Sequence, residues 1–112
     1  MHELSLCKSL LDQASHIAEQ VRARKVSRIS LKIGALAAVD IPLLQFAFEH
    51  SPKESRFSET ELDIEQSPLM IHCPHCQMDA EAKINDLRCP QCGHVGHVLS
   101  GNEMMISGMD YA

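Results

Sequence analysis

Four cysteines stand in two matching frames, Cys73-Pro-His-Cys76 and Cys89-Pro-Gln-Cys92, with twelve residues between the frames. Two residues between cysteines let both sulfurs of a tight knuckle reach one ion. The twelve-residue interval lets the second knuckle return to the first. Four thiolates placed this way suit tetrahedral zinc, Zn(II). The proline inside each frame stiffens the turn, and Gly93 lets the chain bend away after the second. All four positions of the ion are filled by Cys73, Cys76, Cys89 and Cys92, so the expected role is structural. Binding should supply most of the folding free energy of this segment. Four-thiolate iron and a pair of redox disulfides are the competing chemistries. The fifth cysteine, Cys7, falls on the apolar face of an expected helix and reads as a small packed hydrophobe.

His2 owes its interest to its position. An α-amino nitrogen on Met1, the backbone nitrogen of residue 2 and the His2 imidazole can wrap a metal in fused rings. The backbone nitrogen of Glu3 would complete a square plane. Four nitrogens in a plane suit Ni(II) or Cu(II) better than zinc. The bland alternative is a polar lead-in to a helix. Asp40 also has two readings. It is a helix N-cap, and its second carboxylate oxygen leaves metal contact open. His72, His75, His94 and His97 surround the knuckles. They are expected as exposed loop residues or as donors to cysteine sulfur, with titration beside the zinc as the sharper reading. His16 and His50 read as helix-surface residues.

The elements that position these residues follow from periodicity. Residues 4–22 carry Cys7, Leu10, Leu11, Ala14, Ala18 and Val21 at spacings of three and four, which predicts an amphipathic helix. In "SRISLKIG", Ile29, Leu31 and Ile33 alternate with polar residues, which predicts a half-buried strand ended by Gly34. Asp40 followed by Pro42 marks a helix start, with Leu43, Leu44, Ala47 and Phe48 on its buried side. "ELDIEQ" alternates with Leu62 and Ile64 inward, and Pro68 closes that strand. "GNEMMISG" offers a last short strand with Met104 and Ile106 on one face.

The expected fold is therefore α+β, a two-layer α/β arrangement of two helices on a small three-stranded sheet. A four-cysteine module resembling a zinc ribbon is inserted before the final strand. The domains run 1–68, completed by 99–112, and 69–98. The second is too small to bury a core without a metal staple.

Composition narrows the class further. Ten basic against 15 acidic residues give a formal charge of −5, which argues against nucleic acid as the partner. Residues 69–98 hold Lys83 and Arg88 against Asp79, Glu81 and Asp86, and no aromatic residue. That is poor material for the rival reading of a nucleic-acid-binding ribbon. A thiol-redox protein using CPHC is the other rival. No HExxH, phosphate-binding glycine loop or nucleophile motif is present, so a hydrolase is not expected. Residues 1–20 include Glu3, Lys8, Asp12 and Glu19 without a continuous apolar run, unlike a secretory leader. No segment approaches the roughly 20 apolar residues of a membrane span. The expectation is a cytoplasmic protein with no membrane partner, in a reducing compartment where close cysteines hold metal.

"MHELSL", "LKIGALAAVDIPLLQFAFE" and the paired Cys-x2-Cys block together resemble the HypA/HybF hydrogenase-maturation nickel metallochaperones. The resemblance runs in order over nearly the whole chain. It implies a nickel-binding α/β domain carrying a zinc domain. Ni(II) would be held through His2 and Glu3, with Asp40 as a further ligand or neighbour. It implies zinc on the four cysteines, and no enzymatic activity. It implies delivery of nickel to the large subunit of [NiFe]-hydrogenase with the GTPase HypB, and service to urease maturation in some relatives. A monomer or a weak homodimer is expected.

Overall fold

The computed structural model describes residues 2–112. The order is α1 (His2–Gln20), β1 (Val26–Gly34), a 3-10 turn (Ala35–Ala37), α2 (Ile41–His50), a second 3-10 turn (Ser55–Phe57), β2 (Glu61–Ser67), β3 (Met70–Cys73), β4 (Met78–Glu81), β5 (His97–Ser100) and β6 (Met104–Tyr111). The strands form two three-stranded sheets, ordered β2-β1-β6 and β4-β3-β5. Two helices with two small sheets make the expected mixed α+β fold. The chain divides into two compact units. The first holds the chain up to Leu31, Val39–Glu65 and Met105–Ala112; the second holds Lys32–Ala38 and Gln66–Met104.

In the first unit, Cys7, Leu10, Ala14 and Ala18 are buried along one face of α1. Spacings of three and four keep that face continuous, and α1 packs against α2. Two residues depart from expectation. Val21 is exposed because α1 ends at Gln20 and Arg22 turns the chain at φ 56°, so Ala23 is buried in its place. Leu43 is exposed because the buried stripe of α2 is Leu44, Ala47 and Phe48. One residue off that stripe is about 100° around the helix. On β1, Val26, Ile29 and Leu31 are buried, and Leu62 and Ile64 on β2 are half-buried.

The second unit contains more regular structure than its sequence suggests. The sequence marks residues 69–98 as a metal-stapled module without strand bounds, and β3, β4 and β5, from Met70 to Ser100, form an antiparallel sheet. Leu69, Ile71 and Cys73 are buried, while Met70 and His72 between them are half-buried. That is period two over five residues, too short to stand out.

Gly34 and Gly101 meet at a close backbone crossing in this unit. The Gly34 N–H donates to the Glu103 carbonyl at 2.8 Å, and the Leu36 N–H to the Gly101 carbonyl at 2.7 Å. A Cβ on Gly34 would lie 2.1 Å from Gly101 backbone atoms, and Gly101 itself sits at φ +109°. Glycine is required on both counts. The Glu103 carboxylate accepts from the Ser67 hydroxyl and from the Gly101 N–H, which fastens the same corner.

Candidate metal centres

The two cysteine frames fold into matching knuckles. The Gln77 N–H donates to the Cys73 carbonyl at 2.7 Å, and the Gly93 N–H to the Cys89 carbonyl at 2.9 Å. The residue after each second cysteine takes a left-handed conformation, Gln77 at φ 54° and Gly93 at φ 78°. The bend expected of Gly93 thus recurs in the first knuckle on a non-glycine residue. The arrangement gathers all four sulfurs. The Sγ atoms of Cys73, Cys76, Cys89 and Cys92 lie within 4.8 Å of one another, and the Cys73–Cys92 pair is 3.5 Å apart.

A tetrahedral zinc with bonds of about 2.3 Å sets its sulfurs about 3.8 Å apart, so the donor set and its spacing fit the ion. Cys73 and Cys89 are buried, and Cys76 and Cys92 half-buried. Four thiols this close cannot all ionise without a cation. The hydrogen bond with Cys92, then burial, pushes the Cys76 thiol up to about 12. The backbone N–H groups of Cys92 and Gln91 hold Cys89 down, to about 7. A divalent ion would favour the thiolate at all four positions.

Among the histidines around the knuckles, the His94 ring is the one against a cysteine. Its Nδ1 is 3.3 Å from Cys92 Sγ, and the ring stacks on His75 with centroids 4.6 Å apart. His72 and His97 lie instead in the strands β3 and β5. His16 and His50 are exposed on their helices. Cys7 is fully buried, with its thiol 3.6 Å from the Ser51 hydroxyl.

The other candidate residues meet in the first unit. His2 and Glu3 begin α1, and Asp40 caps α2, where its Oδ1 accepts from the Leu43 N–H at 3.1 Å. The Glu3 carboxylate joins the two helix starts. Its Oε2 accepts from the Asp40 N–H at 3.1 Å and lies 3.6 Å from His2 Nδ1. Glu3 is 3% exposed, whereas the His2 side chain is 53% exposed. Sequence reasoning used Glu3 only for its backbone nitrogen and missed this side chain. Its position four residues before Cys7, on the buried stripe of α1, was the available signal. Carboxylates offset the positive ends of two helix dipoles here, so a cation at this corner meets less repulsion. The Met1 amine, the remaining candidate donor, lies outside the described residues.

Fold and site define a metal-binding α+β protein. The family model for hydrogenase/urease nickel incorporation metallochaperones, HypA, matches residues 1–111. The hydrogenase maturation factor HypA of Nitrosospira multiformis is 35% identical over 111 residues, covering 98% of this chain and 96% of that protein. Its counterpart from Syntrophus aciditrophicus is 39% identical over 101 residues, covering 90% and 89%. The solution structure of the nickel metallochaperone HypA from Helicobacter pylori superposes with a TM-score of 0.69 at 28% identity, covering 99% of this chain and 97% of that one. The chain belongs to the HypA family of nickel metallochaperones, which is not a family of enzymes. Among the described residues no helix is long and apolar enough to cross a membrane.

Proposed function

We propose that this chain captures Ni(II) at the head of α1 and hands it to the large subunit of a [NiFe]-hydrogenase, in the cytoplasm. The maturation GTPase HypB is its working partner, and urease maturation proteins are a second class of acceptor. The α/β domain, residues 1–68 completed by 99–112, carries the nickel. Residues 69–98 carry a structural zinc on Cys73, Cys76, Cys89 and Cys92.

The observation that carries this reading is the meeting of His2, Glu3 and Asp40 through the buried Glu3 carboxylate. The imidazole of His2, the backbone nitrogens of His2 and Glu3 and the Met1 amine supply the nitrogen plane, with an Asp40 oxygen beside it. The first N–H groups of a helix lie outside its own hydrogen-bond ladder, so binding through these nitrogens does not break α1. Nitrogen donors in a plane favour nickel over zinc. The contrast in exposure supports a division of labour. A half-exposed imidazole lets an acceptor replace donors one at a time, while buried Cys73 and Cys89 hold zinc through the exchange. Zinc, when bound, cross-links the two knuckles.

The nucleic-acid reading loses further ground, because the Arg88 guanidinium is engaged by Asp86 at 2.8 Å. The delivery claim is tested by mixing nickel-loaded protein with a nickel-free large-subunit precursor in excess chelator, then counting nickel in the recovered precursor. Transfer from the native chain and not from His2→Ala is expected. Equal transfer from free nickel and chelator alone would overturn the role.

A further inference from the structure

A further group of metal-ligating side chains lies on the sheet β4-β3-β5, beginning at His72, the residue before Cys73. In the order β4-β3-β5, His72 is paired in register with Asp79 on one side and with His97 on the other. Residues directly opposite in an antiparallel sheet project from the same face, with Cβ atoms about 4.5–5.5 Å apart. Asp79, His72 and His97 therefore form a row across three strands. The middle member is already arranged as a ligand. The His72 Nδ1 lies 2.7 Å from Asp79 Oδ1, where a ring N–H donates to the carboxylate. That contact fixes the ring and its tautomer and leaves Nε2 as the basic nitrogen, the usual support of a metal-bound histidine. The His72 side chain is 39% exposed and that of Asp79 57%, and His97 is exposed, so an ion has access.

We propose that His72 and His97 form a two-imidazole site for a late first-row divalent ion, Ni(II) or Cu(II), with Asp79 as the positioning residue. Two protein nitrogens leave the other positions to water. Such a site binds more weakly than the nitrogen plane proposed at the terminus, and exchanges faster. It gives the chain a loading point independent of His2. Imidazole nitrogen suits these ions, and Cu(II) binds nitrogen sites most tightly among the first-row divalent metals. The buried Ile71 beside His72 faces the opposite side of the sheet, and the Gly96 position keeps the approach of His97 close, since a Cβ there would lie 2.9 Å from Ile71.

The test uses the full zinc-loaded chain carrying His2→Ala, so that failure here is separate from failure of the terminal site. Substoichiometric Cu(II) is added while the histidine ring resonances are followed by NMR. The rings of His72 and His97 should broaden together, before those of His75 and His94. Equilibrium dialysis with Ni(II) should show one weak equivalent that falls at least tenfold in affinity on adding His97→Ala. Adding Asp79→Asn should also weaken it, with zinc content unchanged. Broadening that begins at His75 and His94, or that spares either His72 or His97, would overturn the site whether or not the variants fold.

Discussion

Glu3 shows how one side chain sets the chemistry of its neighbours. Its carboxylate is removed from water and answers the Asp40 N–H, so the start of α1 is tied to the cap of α2. Glu3→Gln keeps the shape but removes the buried one of the two carboxylate charges at this corner. Nickel affinity should fall by about tenfold or more, the usual effect of losing a group that orients a ligand, while zinc content stays whole. Asp40 separates cap from ligand. Asn caps a helix about as well as Asp, whereas Ala costs about 0.5–2 kcal/mol. Asp40→Asn should therefore keep thermal stability and lose nickel affinity in the titration, and Asp40→Ala should lose both. Full nickel affinity in Asp40→Asn would restrict Asp40 to capping.

At the scale of elements, the crossing of Gly34 and Gly101 is a close backbone contact within the second unit. Gly34→Ala places a methyl 2.1 Å from backbone, where no flexible side chain can yield. It should destabilise the protein by about 3 kcal/mol or more, read as a lower denaturation midpoint. A change below about 0.5 kcal/mol would mean the crossing relaxes freely. The helix α1 was legible in the sequence because its stripe runs over about three turns, from Cys7 to Ala18, whereas the stripe of α2, from Leu44 to Phe48, covers little more than one. Asp40 with Pro42 announced the start of α2 for local reasons. The strands β3, β4 and β5 were not legible. Each has four residues, and β3 shares its last residue with the first cysteine frame. Alternation needs more length than that to rise above chance. Leu43 failed because position within a stripe is decided by what the helix packs on, and Val21 failed because α1 ends one residue before it.

For the whole molecule, the four-cysteine cluster and the His2–Glu3–Asp40 corner belong to separate compact units, each built from residues of that unit alone. The cysteine frames gave their spacing and ligand class directly. The corner proposed for nickel was legible only in part, since Glu3 and Asp40 are joined by tertiary contact across 37 positions. Removing zinc should act locally. Chelation, or acid that protonates the thiolates, should abolish hydrogen-exchange protection in β3, β4 and β5. Protection in α1 and α2 should survive, because their core is Leu10, Ala14, Leu44 and Phe48. Loss of protection throughout at the first equivalent of zinc removed would show instead that the chain folds as one cooperative body.

The place where nickel binds decides the function most directly. A zinc-loaded chain starting at Met1 is titrated with Ni(II), with absorption and calorimetry recorded together, beside His2→Ala and a chain with one residue added before Met1. One tight nickel equivalent is expected in the native chain. Affinity at least tenfold weaker is expected in both altered chains, with zinc retained at one per chain. Nickel bound as tightly by both altered chains as by the native one would contradict a terminal nickel site.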